Sequence, residues 1–401
     1  MKGYGLELMG TLGNANAHEE FCPEWARSGQ KSRWAPIPTQ EAWRRYVQAM
    51  VGHYKDQIKY WEIINEPNTG FWAKDYIPLM VAAYEEAKKA DPGCVVVGIC
   101  GTGDQEGDPL GYMRAVAEAG GLTSLDIASG HGICKTRPWM CRGEGPSWDY
   151  VAEMTSLLKR YAPNRNVPIR NTEGVKYCCW SGLPNVPHTT TEFAIRHKGR
   201  NASVSQGLAA AYVARDCAIE FCGGLRVLFL WQFRNEAVDF NLSSAESLGS
   251  VDFFAPDGTP QAKFVALNAL AEKLRGAKPV EHFGLSPQVR CAVFDSPSGP
   301  FALLWRENRN ENDLRSYTLP VRAAVEVQDL FGRPLNLERA GDALPVRVSE
   351  NPVYLIGEKA SSPIVVAAAV KEAGKQAEFT FDTPLKNELM GPLRFARQEG
   401  K

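Results

Sequence analysis

Between residues 4 and 276, short runs of apolar, often β-branched residues alternate with longer segments in which apolar positions recur every three to four residues. The runs at 5–12, 58–64, 94–99, 125–129, 167–172 and 225–231 predict strands. The periodic segments at 40–54, 76–90, 109–119, 148–161, 203–221 and 259–275 predict amphipathic helices, one after each strand. Strands that are apolar along their whole length are covered on both faces. Six βα units in series therefore predict a parallel sheet clothed in helices, either open and doubly wound or closed as a barrel. A dinucleotide-binding sheet needs GxGxxG after a strand. Here Gly101 and Gly103 are followed by Glu106 in the third place, so that reading fails on its own motif.

From residue 277 the period shortens to that of half-buried strands, at 289–294, 301–305, 316–319, 325–330, 346–348 and 353–356, with turns such as Ser296-Pro297-Ser298-Gly299 between them. This texture predicts a small antiparallel sandwich over residues 277–360 after a βα domain over 1–276. Residues 361–401 read as a polar connector or the start of a further module, with one strand-like run at 377–381.

Composition narrows the function. With 45 Lys plus Arg against 46 Asp plus Glu, the chain of 401 residues has no basic field for nucleic acid, and 44% hydrophobic against 23% charged residues excludes disorder. No run approaches the ~20 apolar residues of a membrane span, and the first 20 residues carry no signal-peptide pattern. Of ten cysteines, Cys94, Cys100, Cys217 and Cys222 lie in apolar patterns and read as core thiols. Cys22, Cys134, Cys141, Cys178 and Cys179 lie in loops, where pairing stays open. There is no CxxC pair and no HExxH, so no metal or cofactor is expected.

The informative stretch is Tyr60-Trp61-Glu62-Ile63-Ile64-Asn65-Glu66-Pro67-Asn68, an apolar strand that turns polar just before a proline. It sets Glu66 at a strand's C-terminal end, which carries the active site in barrels of βα units. Pro168-Ile169-Arg170-Asn171-Thr172-Glu173-Gly174 sets Glu173 at the end of a later strand. Two carboxylates at one rim can act on a glycosidic bond, one protonating the leaving oxygen while the other attacks the anomeric carbon. Taken without context, Glu66 could instead be a capping carboxylate beside Pro67.

Trp61-Glu62-Ile63-Ile64-Asn65-Glu66-Pro67 resembles the W-E-x-x-N-E-P signature of the retaining glycoside hydrolases of clan A, and residues 4–276 follow that clan's pattern. The sandwich resembles the accessory domain of families such as thirty-nine. The resemblance implies a (β/α)8 TIM barrel with catalytic glutamates on strands four and seven: Glu66 as acid/base, Glu173 as nucleophile and Asn65 on the sugar 2-hydroxyl. It also implies His131 beside the nucleophile and Trp231 as the aromatic floor under the cleaved sugar, with no cofactor and a carbohydrate as partner. Counting back from Glu66 leaves one strand candidate before it, so the barrel is expected to lack its first two strands, as an N-terminally truncated chain would. That leaves localisation open.

Further candidates are less specific. Trp72, Trp139 and Trp180 follow strands four, six and seven and could be sugar platforms or loop packing, and Asn14 and Asn16 could bind hydroxyls or form a turn. Trp231 could be plain core, and His131 a structural hydrogen-bonding histidine. Glu62, four residues before Glu66, shares its strand face and could partner a base or form a structural ion pair. The competing class is a carbohydrate-binding or scaffold protein that kept the rim and lost turnover.

Overall fold

The computed structural model describes residues 5–14, 22–102, 110–131, 150–174, 206–230, 253–254, 258–285, 288–307 and 315–381. The chain divides into two compact units. One holds the described residues up to 131 together with 150–174 and 223–230; the other holds 206–222 and the described residues from 253 onward.

The first unit is built on a parallel sheet. Its strands are Met9–Asn14 (β1), Tyr60–Asn65 (β4), Val95–Thr102 (β5), Ile127–His131 (β6), Ile169–Gly174 (β7) and Val227–Leu230 (β8); a separate hairpin, Arg27–Lys31 (β2) with Pro36–Pro38 (β3), follows β1. The sheet order is β1-β4-β5-β6-β7-β8, so every strand pairs with the next of the βα series, and each pair is parallel. The expected architecture is thus present as a partial barrel sheet with helices and separate antiparallel sheets. Most of these strands start about two residues later than the apolar runs suggest. The polar residues Asn65, His131 and Glu173 are therefore inside the ladder rather than beyond it.

Helix α1 (Gln40–Tyr54) starts at Thr39, whose hydroxyl accepts from the Ala42 amide at 3.2 Å, and buries Trp43, Val47 and Val51 at a four-residue spacing. The one-turn helix α2 spans Pro67–Gly70, and α3 spans Ala73–Ala90. The Trp43 indole donates to the Leu79 carbonyl at 2.8 Å, locking α1 to α3. β4 is buried on both faces, with Trp61, Glu62, Ile63 and Ile64 all at 2% exposure or less, the expected condition of a strand between two covering layers.

In the second unit the strands are Lys278–Gly284 (β9), Val289–Asp295 (β10), Phe301–Arg306 (β11), Arg315–Val321 (β12), Val325–Gln328 (β13), Leu344–Val348 (β14), Val353–Gly357 (β15) and Glu378–Phe381 (β16). They form antiparallel sheets of order β13-β15-β11-β10-β9 and β14-β12-β16. Val293 and Leu304 from one sheet meet Leu319 and Val346 from the other in a single core. The helices Gln206–Cys222 and Ala262–Leu274 pack on one another in this unit.

The expected connector is corrected here. Pro363–Lys375 is a helix capped by Ser362, whose hydroxyl accepts from the Ile364 amide at 3.3 Å. Its Val366, Ala367, Val370 and Ala373 enter the same core, and β16 pairs with β12. The segment up to Phe381 therefore completes the sandwich. The first two turns of this helix are Ala- and Val-rich, and its charged residues Lys371, Glu372 and Lys375 come only at the end, so the periodicity is easily lost.

Cys22, Cys94, Cys100, Cys217, Cys222 and Cys291 are free thiols, with Cys94, Cys100 and Cys217 buried as expected and Cys222 half-buried. Cys134, Cys141, Cys178 and Cys179 lie outside the described residues. Among the described residues, no helix is long and apolar enough to cross a membrane.

The tightest steric constraint in the sheet is at Gly10, opposite Trp61 in the β1–β4 register. A Cβ there would lie 2.6 Å from the indole. The rigid, fully buried ring has nowhere to move, so Gly10→Ala is expected to lower stability by about 1–3 kcal/mol, measured as a shift in urea midpoint at unchanged m-value.

Candidate active site

The site begins with a kink in β4. Ile64 and Glu66 have positive φ, 59° and 46°, and Cys100 on β5 has 52°. A β-branched residue in the left-handed region is a true outlier, and such strain persists only where the surroundings enforce it. Beside the kink, the Tyr76 hydroxyl of α3 donates to the Ile63 carbonyl at 3.0 Å. Burial pushes the Tyr76 phenol well above its ordinary pKa, which keeps it a donor. At β5 the ladder to β6 slips between Ile99 and Gly101, and the Cys100 thiol sits 3.0 Å from the Ser129 hydroxyl.

Beyond the kink, Glu66 follows the last residue of β4 and caps α2, whose first residue is Pro67. His131, the last residue of β6, directs Nδ1 to Glu66 Oε1 at 3.1 Å and lies 3.7 Å from Glu173 Oε2 on β7. One carboxylate oxygen from each glutamate and one imidazole nitrogen all lie within 4.8 Å of one another. The three side chains are at most 10% exposed, so their charges act through protein more than through water. Among the described residues this trio alone groups three possible metal donors, two carboxylates and an imidazole.

Below the trio lies Glu62, 2% exposed. Burial raises its carboxyl pKa. The nearby His131 and the Thr172 and Cys100 side chains oppose the shift, and Glu173 adds to it. Inside the sheet Glu62 thus holds its proton more tightly than an exposed carboxyl would.

Glu66, Glu173 and His131, expected at one site from three separate strands, come together. Asn65 is half-buried and level with exposed Asn14 in the β1–β4 register. Trp72 opens α3 on the loop after Glu66 and is 50% exposed. Trp231, Trp180, Trp139 and Asn16 lie outside the described residues.

The β2–β3 hairpin, too polar to show alternation in the residues, brings Arg33 to this rim. Arg33 donates to the Asn68 carbonyl at 2.8 Å and stacks 4.1 Å from the centre of the Trp72 ring. Ser32 accepts from the Trp72 amide at 2.8 Å and donates to Asp75 at 2.5 Å.

No family model matches the sequence, and no curated protein matches it. Solved structures do. A family 39 glycoside hydrolase from the gut symbiont Bacteroides cellulosilyticus WH2 aligns with a TM-score of 0.65 at 18% identity, covering 89% of this chain and 69% of that one. The catalytic domain of family 30 xylanase C from Talaromyces cellulolyticus aligns with a TM-score of 0.50 at 12% identity, covering 87% and 76%. At such identities the likeness establishes the fold. The chain is built like the glycoside hydrolases that its strand-end motif resembles.

Two outcomes test this geometry. Tyr76→Phe removes the hydroxyl from a buried carbonyl and is expected to cost about 1–2 kcal/mol in denaturant unfolding. For Glu62 the folded pKa is raised, so its contribution to stability is full below the unfolded value of about 4.3 and is lost as pH rises through the folded value. Glu62→Gln should remove that loss. The variant's unfolding midpoint, relative to the wild type's, should climb between pH 4 and neutrality, and a constant difference across that range would contradict a raised Glu62 pKa.

Proposed function

We propose that the protein is a retaining glycoside hydrolase working by double displacement, its parallel strands standing as strands three to eight of a (β/α)8 barrel. The observation that carries this is the pair of strand-end glutamates with carboxylate oxygens within 4.8 Å, bridged by His131. Retaining enzymes hold their carboxyl groups about 5–5.5 Å apart, inverting ones about 6.5–9.5 Å to admit a water. The spacing here supports retention.

In the first step the Glu173 carboxylate attacks the anomeric carbon as the bond to the leaving oxygen breaks, and Glu66 transfers its proton to that oxygen. The products are a glycosyl ester on Glu173 and a free alcohol. In the second step Glu66 takes a proton from water, the water oxygen attacks the anomeric carbon, and the ester bond breaks to restore Glu173. His131 holds both carboxylates in place. Asn65 meets the sugar 2-hydroxyl, a contact that strengthens as the oxocarbenium-like transition state forms. The sequence and the clan resemblance offer Trp72, Trp180, Trp231 and Asn14 as candidate sugar contacts, of which Trp72 and Asn14 are among the described residues. The partner is a carbohydrate, and the chemistry uses no metal.

A panel of aryl glycosides with product configuration followed by NMR tests the reading. Glu173→Gln is expected to lower turnover by at least about a thousandfold. Glu66→Ala should spare the first step for good leaving groups and be rescued by azide, giving a β-azide from a β-glycoside. An α-azide, or an active Glu173→Gln variant, reverses the assigned roles. Sugar retention in affinity electrophoresis without any product release would make the chain a binding protein instead. Dialysis against EDTA should leave the rate unchanged, whereas loss of activity restored by a divalent ion would assign the trio to a metal.

A further inference from the structure

The trio of Glu66, His131 and Glu173 has a second chemical capacity, set by the spacing of its atoms. An ion bound tetrahedrally by nitrogen and oxygen at about 2.0–2.1 Å holds its donor atoms about 3.3–3.4 Å apart. His131 Nδ1 already lies 3.1 Å from Glu66 Oε1 and 3.7 Å from Glu173 Oε2. The two carboxylate oxygens stand at most 4.8 Å apart, so closing on an ion brings them together by no more than about 1.5 Å. Rotation about the last bonds of two glutamate side chains covers that distance.

Charge favours the same outcome. The carboxyl-bearing side chains are 9% and 10% exposed and the imidazole 2%. Two carboxylates so close and so shielded from water disfavour being ionised together, and one proton neutralises only one of them. A divalent cation neutralises both. The donors come from the residue after β4, from β6 and from β7, and the parallel ladder fixes their relative heights before any ion arrives. One imidazole and two carboxylates suit a first-row transition ion such as Zn2+, whereas Mg2+ and Ca2+ prefer six or more oxygen ligands. Among the described residues the buried thiols are poor rivals, since burial raises Cys22, Cys94, Cys100, Cys217 and Cys291 away from the thiolate that a metal needs.

We propose that Glu66, His131 Nδ1 and Glu173 form a reversible inhibitory site for a divalent first-row transition metal such as Zn2+, in which ion and sugar exclude one another. The bound ion engages the lone pair with which Glu173 attacks and the oxygen on which Glu66 carries its proton. Neither displacement can then begin, and the ion fills the space between the carboxyl groups that the anomeric centre needs. Three protein ligands leave the fourth position to water. The inhibition rests on the reading of Glu66 as acid/base and Glu173 as nucleophile; the binding of the ion does not.

The full chain, freed of metal with EDTA, is titrated by calorimetry with ZnCl2 and separately with MgCl2. The wild type should bind Zn2+ and not Mg2+, and absence of Zn2+ binding overturns the proposal outright. Glu173→Gln and His131→Gln, each of which removes a ligand, should weaken the site by at least about tenfold, the lower end of the loss expected even for a group that only supports a ligand. Binding unchanged in both variants places the ion elsewhere and refutes the site. Co2+ in place of Zn2+ gives a reading that needs no variant to fold: the visible bands of a four- or five-coordinate ion with nitrogen and oxygen ligands are expected, and thiolate charge-transfer bands or the weak bands of an octahedral ion refute it. With an aryl glycoside, Zn2+ should inhibit competitively, with an inhibition constant that matches the calorimetric Kd. A Zn2+-loaded chain as active as the metal-free one, or active only with the ion, overturns the inhibition. If the metal-free wild type cleaves no aryl glycoside, the glycosidase reading fails while calorimetry and the cobalt spectrum still decide whether the trio holds a metal.

Discussion

His131 stands between two carboxylates, 3.1 Å from one and 3.7 Å from the other, with all three groups shut away from water. Two carboxyl groups this close in a low-dielectric rim disfavour being charged together, which suits a pair in which Glu66 is the acid, and the imidazole gives both a polar neighbour. The rest of the first unit is arranged around that contact. It requires β4, β6 and β7 to end level with one another, and the parallel ladder through β5 supplies that registration. It requires helices packed tightly enough to exclude solvent, which is why α1 and α3 are locked through Trp43 rather than merely adjacent.

The same contact accounts for the irregular backbone. A regular β4 would alternate its side chains without exception, whereas the left-handed conformations at Ile64 and Glu66 re-aim the strand's final residues. Each such residue costs on the order of 1–3 kcal/mol, and the well-packed interior of Trp61, Ile63 and Tyr76 holds them against it. Among the described residues the non-glycine positions with positive φ are Glu66 itself, Ile64 just before it and Cys100 on the neighbouring β5, so the backbone marks the site as well as the side chains do.

Much of this was legible in the residues. Apolar runs ending in Asn-Glu, Ser-Gly-His and Thr-Glu name both the strands and the rim, because the end of a buried parallel strand is where polarity has to begin. The strand bounds were less legible, since a ladder is made by backbone and continues through polar residues such as His131. The kink was invisible, because nothing in the chemistry of isoleucine announces a positive φ. The hairpin 27–38 escaped because Arg27-Ser28-Gly29-Gln30-Lys31 has no apolar face, although it delivers Arg33 to Trp72. The helix Pro363–Lys375 carried its signals, Ser362 as cap and Pro363 in the first turn, yet its position beside a sandwich core made them easy to read as linker. Glu62 was visible as a residue sharing the face of Glu66, but its raised pKa comes from burial that sequence alone does not display.

The order of strands in the parallel sheet matches their order along the chain, each one lying beside its predecessor. Such a sheet needs no strand to be inserted between two others, so it can lengthen by accretion as the polypeptide leaves the ribosome, amino end first. β4 would then wait with Glu66 exposed to solvent until β6 and β7 are added, more than a hundred residues of synthesis later for Glu173. The electrostatic conflict between the carboxylates therefore arises only with the seventh strand's arrival, after His131 is already seated to mediate it. The chain's sequence order is in this sense also an assembly schedule, in which the mediator precedes the second of the charges it separates.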